Sequence, residues 1–330
     1  MATYNVIQGM SDVTIADPYH TGLLEGYMPK GLIFDKVLMA VKTEMDYGRI
    51  PKQNTPLYIM SDLQLGPTGF PTIRLSYTAT DYYQLQNRGL QVYLSPTDLQ
   101  QLGGGANARS KSYNQLDSII KVNREYGLAA NLDSTALVTQ NFAPSFQYTD
   151  YTNSTPLQDF SQAIDVVRTG SGNTTGCGFP PNQAIIPFPA FNRLRRHPDL
   201  VKAWLGKFNA NYKLTGEQLA DILDVKEVLV PEGQYNTNEI GATVSRSDIW
   251  ARGSIVMAYV NREQTPNEAQ QSLGYTMVPA GPDQGLAEFS YEFVQPGTMP
   301  QMGVYLVRGF KYQDLILDYT CACLMTSVIA

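Results

Sequence analysis

The segment FNRLRRHPDL carries the side chains of this chain that are best suited to acid–base or anion-binding chemistry. It holds His197, one of only two histidines, beside Arg193, Arg195 and Arg196. A histidine can activate a serine or cysteine when the two side chains lie within hydrogen-bonding distance. No nucleophile motif, such as a glycine-flanked serine at a strand end, lies near His197 or the other histidine, His20. We therefore predict that both are solvated or interface histidines rather than catalytic ones.

The three arginines of this segment have two interpretations. A helix is predicted to begin at Pro189 and to end by His197, because proline favours the first helical turn and disfavours helix in the residue before it. Cations are stabilised at a helix C-terminus by the helix dipole, so the arginines fit a solvated helix end. Arginine also binds carboxylates through two parallel N–H donors. A contact with a second subunit is therefore the alternative.

The other chemistry-bearing residues predict no catalytic, metal or cofactor site. The sequence lacks the HExxH, CxxC and EF-hand patterns, and the glycines at 103–105 are not followed by the Gly-Lys-Ser/Thr of a phosphate loop. Cys177, Cys321 and Cys323 form no disulfide framework and are interpreted as reduced, buried thiols. A pair of carboxylates could still act as acid and base, because such a pair has no sequence motif. No pair stands out, and we do not expect an enzyme.

The amino-acid composition favours a protein whose surface makes many contacts with other protein chains. The chain has 330 residues, with 16 % charged residues and 21 tyrosines. A surface committed to protein contacts is typically rich in aromatic residues and poor in Lys and Glu, although a β-rich protein also uses Tyr in strands. The net charge of −6 argues against affinity of a whole domain for nucleic acid. We expect neither a secretory signal nor a membrane span.

The first third of the chain shows little sign of a core of its own. Residues 1–36 are interpreted as an extended arm, because Gly and Pro interrupt them repeatedly, and a short helix is predicted at Phe34–Glu44. Residues 47–95 alternate apolar and polar side chains around the turn cluster LGPTGFP, which predicts a long β-hairpin. A two-stranded ribbon is marginally stable alone. We therefore predict that this ribbon packs on a neighbouring subunit.

The remainder of the chain predicts a long helix, an α/β domain and returning strands. A linker precedes Ser112 and Gln115, which form a capping box, and apolar spacing continues the helix to Leu132. Between about Ser145 and Pro282, short strands alternate with helices, as in a compact α/β domain. The last stretch alternates over a long distance, which predicts strands that pair beneath the long helix and place Cys321 and Cys323 on one face.

Four segments between Pro181 and Val278 carry a resemblance to a known family. In chain order they are PNQAIIPFPAFNRLRRHPDLVKAW, TGEQLADILDVKEVLVPEGQYNTNEIG, SDIWARGSIVMAYVN and SLGYTMV. Together with the order of arm, hairpin, long helix, α/β domain and C-terminal strands, they resemble the major capsid proteins of tailed bacteriophages. The resemblance implies the α+β Hong Kong 97-type coat fold, whose parts are an N-arm, an extended hairpin called the E-loop, a peripheral domain with a spine helix, and an α/β axial domain.

The resemblance also divides the chain. The implied parts are the N-arm at 1–46, the E-loop at 47–96, the peripheral domain with its spine helix at 97–144, the axial domain at 145–285, and C-terminal strands that complete the peripheral domain at 286–330.

By resemblance, many copies would form pentamers and hexamers of an icosahedral shell around double-stranded DNA, which is bound without sequence specificity. Portal, scaffolding and decoration proteins are the implied partners, and the virion, assembled in the host cytoplasm, is the implied location. No cofactor is implied. The predicted contacts between subunits are Arg193, Arg195, Arg196, Tyr77, Tyr82, Tyr83, Arg74 and Arg88.

Three other functions remain open at this point. A bacterial nanocompartment shell has the same fold but encloses a protein rather than DNA. An α/β enzyme would need a pocket with titratable groups, and the two histidines offer little for one. A phage tail or adaptor component would form rings or tubes instead of closed shells.

Overall fold

The structure is a computed structural model that describes most of the chain in ten ranges. These are residues 31–53, 77–97, 105–172, 174–207, 209, 211–238, 245–262, 271–280, 287–294 and 303–329. The helices are α1 (Phe34–Val37), α2 (Gly105–Leu132), α3 (Pro156–Thr169), α4 (Phe188–Leu194), α5 (Pro198–Leu205) and α6 (Gly216–Ile222). The strands are β1 (Met39–Thr43), β2 (Tyr47–Gln53), β3 (Tyr77–Gln84), β4 (Gln86–Leu94), β5 (Asn141–Phe142), β6 (Gln183–Ile185), β7 (Glu227–Leu229), β8 (Gln234–Asn236), β9 (Arg246–Asp248), β10 (Ile255–Ala258), β11 (Gly274–Pro279), β12 (Ala287–Val294), β13 (Val304–Ile316) and β14 (Ala322–Met325).

The first sheet is built around β13, the longest strand. Its residues 304–312 lie between β12 and β4, and its last residues pair with β11, which in turn pairs in parallel with β1. Alternate side chains of β13 point to opposite faces. Leu306 and Phe310 are buried on the face that α2 covers. The sheet therefore joins the early strands β1 and β4 to strands more than 200 residues later in the chain.

Helix α2 crosses this sheet and is longer than predicted. It spans 28 residues from Gly105 to Leu132, about 42 Å at 1.5 Å per residue. The predicted start at Ser112 is wrong, because Ser112 lies within the helix. Ala108 and Tyr113 are buried, and Tyr113 packs with Leu94 of β4 and with β13. Packing against the sheet thus extends the helix beyond the local capping signal.

The second sheet forms the centre of the main core. Its strand order is β5-β14-β10-β6-β7, and β6, β10 and β14 are buried along their whole length. Strands covered on both faces have continuous apolar runs, as in IVMA and ACLM. Helix α3 lies against this sheet through Phe160, Ala163 and Val167. The α/β character predicted for this part of the chain is present.

Two local predictions at the ends of the described chain are wrong. The helix predicted at Phe34–Glu44 stops after Val37, and β1 follows it because residues 39–43 pair in register with residues 275–279. The single C-terminal face predicted through Cys323 is interrupted, since β13 ends at Ile316 and a short 3₁₀ helix leads into β14. Strands β12 and β13 lie in the first sheet, whereas β14 lies in the second. The domain boundaries themselves stay predictions.

The ribbon of β2 and β3 has one covered face at its base. Ile50 and Leu85 are buried in a cluster with Val41, Tyr275 and Met277 of the first sheet. The expectation that the ribbon must find its entire core on a neighbour is therefore wrong for its base, where the chain itself supplies the cover. The residues that connect the two strands, 54–76, lie outside the described residues.

Candidate functional site

The structure brings one histidine next to a serine. The Nε2 atom of His197 lies 2.8 Å from Oγ of Ser154, although the two residues are 43 positions apart. His197 Nδ1 accepts a hydrogen bond of 3.3 Å from the backbone N–H of Asp199, so the proton of the neutral ring is on Nε2. The ring therefore donates to Ser154, whose hydroxyl in turn donates to the carbonyl of Asp150.

This arrangement has a structural role. In a hydrolytic triad the histidine accepts the serine proton, whereas here it donates to the serine. His197 is fully buried, caps the N-terminus of α5 and meets the edge of Tyr151 with the ring centres 5.4 Å apart. The prediction of a solvated or interface histidine is therefore wrong, because the turn between α4 and α5 folds the ring inward. His20 lies outside the described residues.

The buried ring makes stability depend on pH. Burial lowers the pKa of the His197 imidazole below its ordinary value of 6.5, although the charge of Asp199 opposes the shift. As pH falls below 6.5, the unfolded chain binds a proton that the folded chain resists, so the free energy of unfolding decreases. We expect wild type to lose stability between pH 7.5 and pH 5.5 in urea unfolding.

The matched variant is His197→Asn, because Asn is among the best N-cap residues and does not titrate in this range. Its stability should fall less between the two pH values than that of wild type. Equal pH slopes for the two proteins would show that His197 does not carry the effect.

The three cysteines are buried, as predicted. Burial raises the pKa of the Cys323 thiol to about 12, so this sulfur stays protonated and unreactive at neutral pH. Cys177 donates to the carbonyl of Phe179 at 3.4 Å, and a hydrogen bond with Cys321 lowers its pKa. Within the described ranges, no three His, Cys, Asp or Glu side chains are grouped to hold a metal ion.

The predicted arginine contacts differ in their surroundings. Arg193 and Arg196 are exposed at the end of α4, which is shorter than the helix predicted to reach His197. The Arg195 guanidinium lies 5.5 Å from the ring centre of Phe191 and is half-buried. Arg193 and Arg196 line a groove of about 730 Å³. This groove separates α4 from the loop that precedes β8.

The ribbon presents an aromatic outer face at its base. Tyr47 and Tyr82 are 74 % and 59 % exposed, and the Arg49 guanidinium lies 4.9 Å from the Tyr82 ring centre. Tyr83 points to the opposite face, where its ring covers Gly48 and packs on the first sheet. Of the two predicted contacts Tyr82 and Tyr83, only Tyr82 is thus free for another molecule.

The structure describes only some of the remaining residues that were predicted to contact other subunits. Arg88 is exposed on β4, with its guanidinium 5.6 Å from the ring centre of Tyr312. Tyr77 begins β3, but its side chain lies outside the described residues, as does Arg74 altogether. The structure therefore does not bring the eight predicted residues into one site. Those that it describes lie on two surfaces, the groove beside α4 and the ribbon with β4.

Comparison with known proteins identifies the architecture. The major capsid protein of Burkholderia phage BcepMu is 24 % identical over 286 residues, which cover 81 % of this chain and 85 % of that protein. A phage-related protein from Bordetella bronchiseptica RB50 superposes with a TM-score of 0.64 at 18 % identity, covering 95 % of this chain and 97 % of the other. The capsid of cyanophage P-SCSP1u superposes with a TM-score of 0.53 at 11 % identity, covering 91 % and 89 %. No family model matches the chain.

The chain has the Hong Kong 97-type fold of phage major capsid proteins. The predicted fold class and the predicted phage capsid function are confirmed. The relative that covers most of this chain is a major capsid protein, and the comparisons favour a structural rather than a catalytic role. Among the described residues, no helix has the length and apolar character that crossing a membrane requires.

The sequence analysis did not predict the charged contacts that join α2, the spine helix, to the first sheet and to α1. Arg124 binds Asp314 of β13 through two hydrogen bonds of 2.7 and 2.6 Å, and it also contacts Asp35 of α1 at 3.2 Å. Its guanidinium lies 4.3 Å from the Phe34 ring centre. One arginine thus joins the spine helix, the first sheet and the described end of the predicted arm.

The neighbouring residue, Glu125, fixes the same region. Its buried carboxylate accepts hydrogen bonds from the backbone N–H groups of Ile33 and Phe34, at 3.0 and 2.8 Å, and from Trp250 at 2.6 Å. Burial raises the pKa of the Glu125 carboxyl above its ordinary value, and these three donors oppose the rise. The chain beyond residue 32 is therefore anchored inside its own subunit.

A sequence signal for the charged contacts did exist. Asp117 and Arg124 are seven residues apart, so on a helix they lie on one side together with Ile120 and Leu128, which are buried. Two other apolar residues of the helix, Ile119 and Tyr126, are exposed, so apolar spacing alone does not define the buried face. The positions of Asp117 and Arg124 within an apolar stripe indicate buried ion pairs. The stripe does not identify the residues on distant strands that complete these pairs.

Proposed function

We propose that this capsid protein assembles, through contacts between different surfaces of identical subunits, into pentamers and hexamers of an icosahedral shell that encloses double-stranded DNA. The observation that carries the proposal is the ribbon of β2 and β3. One face of its base packs on its own subunit, and the other carries the exposed rings of Tyr47 and Tyr82. A large exposed aromatic surface on a thin ribbon favours cover by another chain.

Assembly geometry supports the proposal. A contact between two different surfaces of identical subunits generates rings when the rotation closes. A subunit that reaches several neighbours gains from multivalency, because each further contact forms at a high effective concentration. Tyrosine and arginine are enriched in such contacts. We therefore propose Tyr82 and Arg88 as contacts between subunits, together with Tyr77 and Arg74 along the ribbon.

The predicted assignments of the other side chains are refined. Tyr83 is proposed to stabilise the ribbon from within its own subunit, because its ring covers Gly48. Arg193 and Arg196 are exposed and available to bind carboxylates, whereas Arg195 rests against Phe191 and contributes to packing. The division into N-arm, E-loop, peripheral domain and axial domain keeps its predicted boundaries as part of this proposal.

Charge supports the proposed cargo. A chain with a net charge of −6 adheres weakly to DNA, which suits a wall that only confines packaged DNA. Portal, scaffolding and decoration proteins are the proposed partners, and the virion, assembled in the host cytoplasm, is the proposed location. A nanocompartment shell of the same fold is distinguished by its cargo, since it would enclose a protein.

Electron microscopy of the purified full-length chain tests the proposal. We expect closed particles several hundred Å wide, a rough size that follows from the multivalent closure of many subunits. Tyr47→Ser combined with Tyr82→Ser should raise the concentration needed for assembly about tenfold or more, because buried interface tyrosines commonly contribute more than 1 kcal/mol each. The matched control is Tyr126→Ser, which removes an exposed tyrosine of the spine helix that rests on Tyr235.

Two outcomes would contradict the proposal. A monomer at all concentrations, or open tubes instead of closed particles, would exclude a shell. Equal effects of the ribbon and spine-helix substitutions would remove the role given to the ribbon. Particles from infected cells should protect DNA of genome length from nuclease, and a protein cargo there would favour the nanocompartment.

A further inference from the structure

The groove beside α4 has a shape and charge that fit a peptide segment. Its volume is about 730 Å³. The apolar part is formed by exposed rings, Phe188 at the start of α4 and Tyr151 opposite, and by nearby prolines. The charged part of the lining includes Arg193, Arg196 and Arg252 together with the carboxylates of Glu232 and Asp248. A concave, largely apolar surface with a few polar groups at fixed positions is typical of ligand-binding sites.

The two arginines lack a carboxylate partner in the described part of the chain. Neither Arg193 nor Arg196 forms an ion pair or side-chain hydrogen bond there. By contrast, Arg252, which also lines the groove, binds Asp248 at 2.7 Å. Two unpaired guanidinium groups beside exposed aromatic rings favour a ligand that combines a carboxylate with apolar side chains.

The described chain begins at the rim of this groove. The carbonyl of Gly31 accepts a hydrogen bond of 3.1 Å from the backbone N–H of Glu232, and Glu232 and Gly233 line the groove. Gly31 has a φ of +82°, and a Cβ atom there would lie 2.8 Å from Cβ of Glu232. Only glycine allows the chain to pass so close to the rim in this conformation. The chain therefore enters the described part of the subunit at the rim of the groove that Arg193 and Arg196 also line.

The sequence before Gly31 has the matching chemistry. Residues 22–27 read GLLEGY, which places one carboxylate among three large apolar side chains. Glu25 is the only acidic residue between Asp17 and Gly31. Gly31 follows Glu25 by six positions, and an extended chain of that length reaches about 20 Å. Glu25 is thus within reach of a groove whose rim holds Gly31.

We propose that residues 22–27 of the same chain occupy this groove, with Leu23, Leu24 and Tyr27 against its aromatic wall and Glu25 bound to Arg193 and Arg196. The arginines are then contacts within the subunit rather than between subunits. A segment tethered at the rim meets the groove at an effective concentration near millimolar, well above that of a free copy at micromolar concentration. The proposal does not depend on shell formation, and it leaves residues 1–21 to project from a fixed point.

Disulfide trapping in the full-length chain tests the proposal. Gly26→Cys is combined with Asn192→Cys, because Asn192 lines the groove and both arginines are retained. The three native cysteines are buried and do not compete. At micromolar concentration, below the assembly threshold, we expect a bond within one chain that forms roughly a thousand times faster than bonds between chains. Mobility on a non-reducing gel and peptide mapping distinguish the two products.

Two controls make the result specific. Gly26→Cys with Glu217→Cys places the second thiol on the exposed start of α6, outside the groove, and should form the bond at least tenfold more slowly. Arg193→Glu with Arg196→Glu should slow the groove bond about fivefold, as expected for partly exposed ion pairs, and Glu25→Arg should restore it. Circular dichroism confirms that each variant is folded.

Shell assembly is measured separately by electron microscopy, so the groove proposal and the shell proposal can fail independently. A fast bond within one chain that depends on the charges supports the proposal even if no shells form. Equal rates at Asn192→Cys and Glu217→Cys, or no effect of the charge reversal, would overturn it. Bonds that form only between chains, and only in assembled particles, would assign the groove to a neighbouring subunit instead.

Discussion

Replacing residues 54–76 by Asn-Gly is expected to give a folded subunit that forms no shells. This segment connects β2 to β3, and Gln53 pairs with Tyr77, so a two-residue turn can close the ribbon there. The buried base of the ribbon, Ile50 and Leu85, is retained. The deletion therefore removes residues 54–76 alone and leaves the described core at the base of the ribbon intact.

The deletion must leave β4 intact. Removing residues 53–90, which form most of the hairpin predicted at 47–95, would also destroy half of β4, which pairs with β13 along residues 86–94. Such a variant would misfold for reasons unrelated to assembly. The shorter deletion is checked by thermal unfolding, which should change by no more than a few degrees, and by sedimentation and microscopy, which should show no particles.

A second variant distinguishes the effect of the side chains of residues 54–76 from the effect of the segment's length. In it, residues 54–76 are replaced by a flexible Gly/Ser sequence of equal length, which keeps the number of residues but removes their side chains. Loss of shells in both variants would assign the effect to side-chain contacts. Normal shells from the Asn-Gly variant would show that the ribbon beyond its base is dispensable, and the proposed mode of assembly would be wrong.

Asp117→Ala is expected to lower the free energy of unfolding by about 3–5 kcal/mol, because it removes one partner of a fully buried ion pair with Arg308. Asp117 of the spine helix and Arg308 of β13 are both 0 % exposed, and their charged atoms are 3.7 Å apart. Lys121 binds the other carboxylate oxygen at 2.8 Å and is close enough to the surface to reach water. Arg308 has no such route, so its charge determines the effect.

Two comparisons test this explanation. Glu292→Ala breaks the more exposed pair with Arg109, in which the atoms are 2.7 Å apart, and should cost less than about 1 kcal/mol. The double variant Asp117→Leu/Arg308→Met removes both buried charges and should recover most of the lost stability. Urea unfolding of the unassembled subunit measures all three. Equal losses for Asp117→Ala and Glu292→Ala would show that the buried pair is not the cause.

Local signals determined much of this fold. A capping box begins α6, with Thr215 Oγ1 accepting from Gln218 N–H at 3.3 Å and the Gln218 side chain accepting from Thr215 N–H at 3.1 Å. Helix α3 ends at Gly170, a residue type favoured after a helix, and the apolar run IVMA forms β10. These features depend on residues a few positions apart, which is why the sequence shows them directly. Together with the ordered motifs, they were sufficient to predict the capsid fold.

Only the tertiary structure decided which distant residues meet. Ser112 carries a valid capping signal, but packing of Tyr113 on the first sheet places it inside the spine helix. His197 looks like a surface residue until Ser154 folds beside it. Arg308 and Asp314 of β13, which pair with Asp117 and Arg124, lie 190 or more residues away in the chain. A local pattern can show that a side chain faces a core or a cap, but not which remote side chain completes its hydrogen bonds, because that pairing exists only once the sheets and the spine helix are packed together.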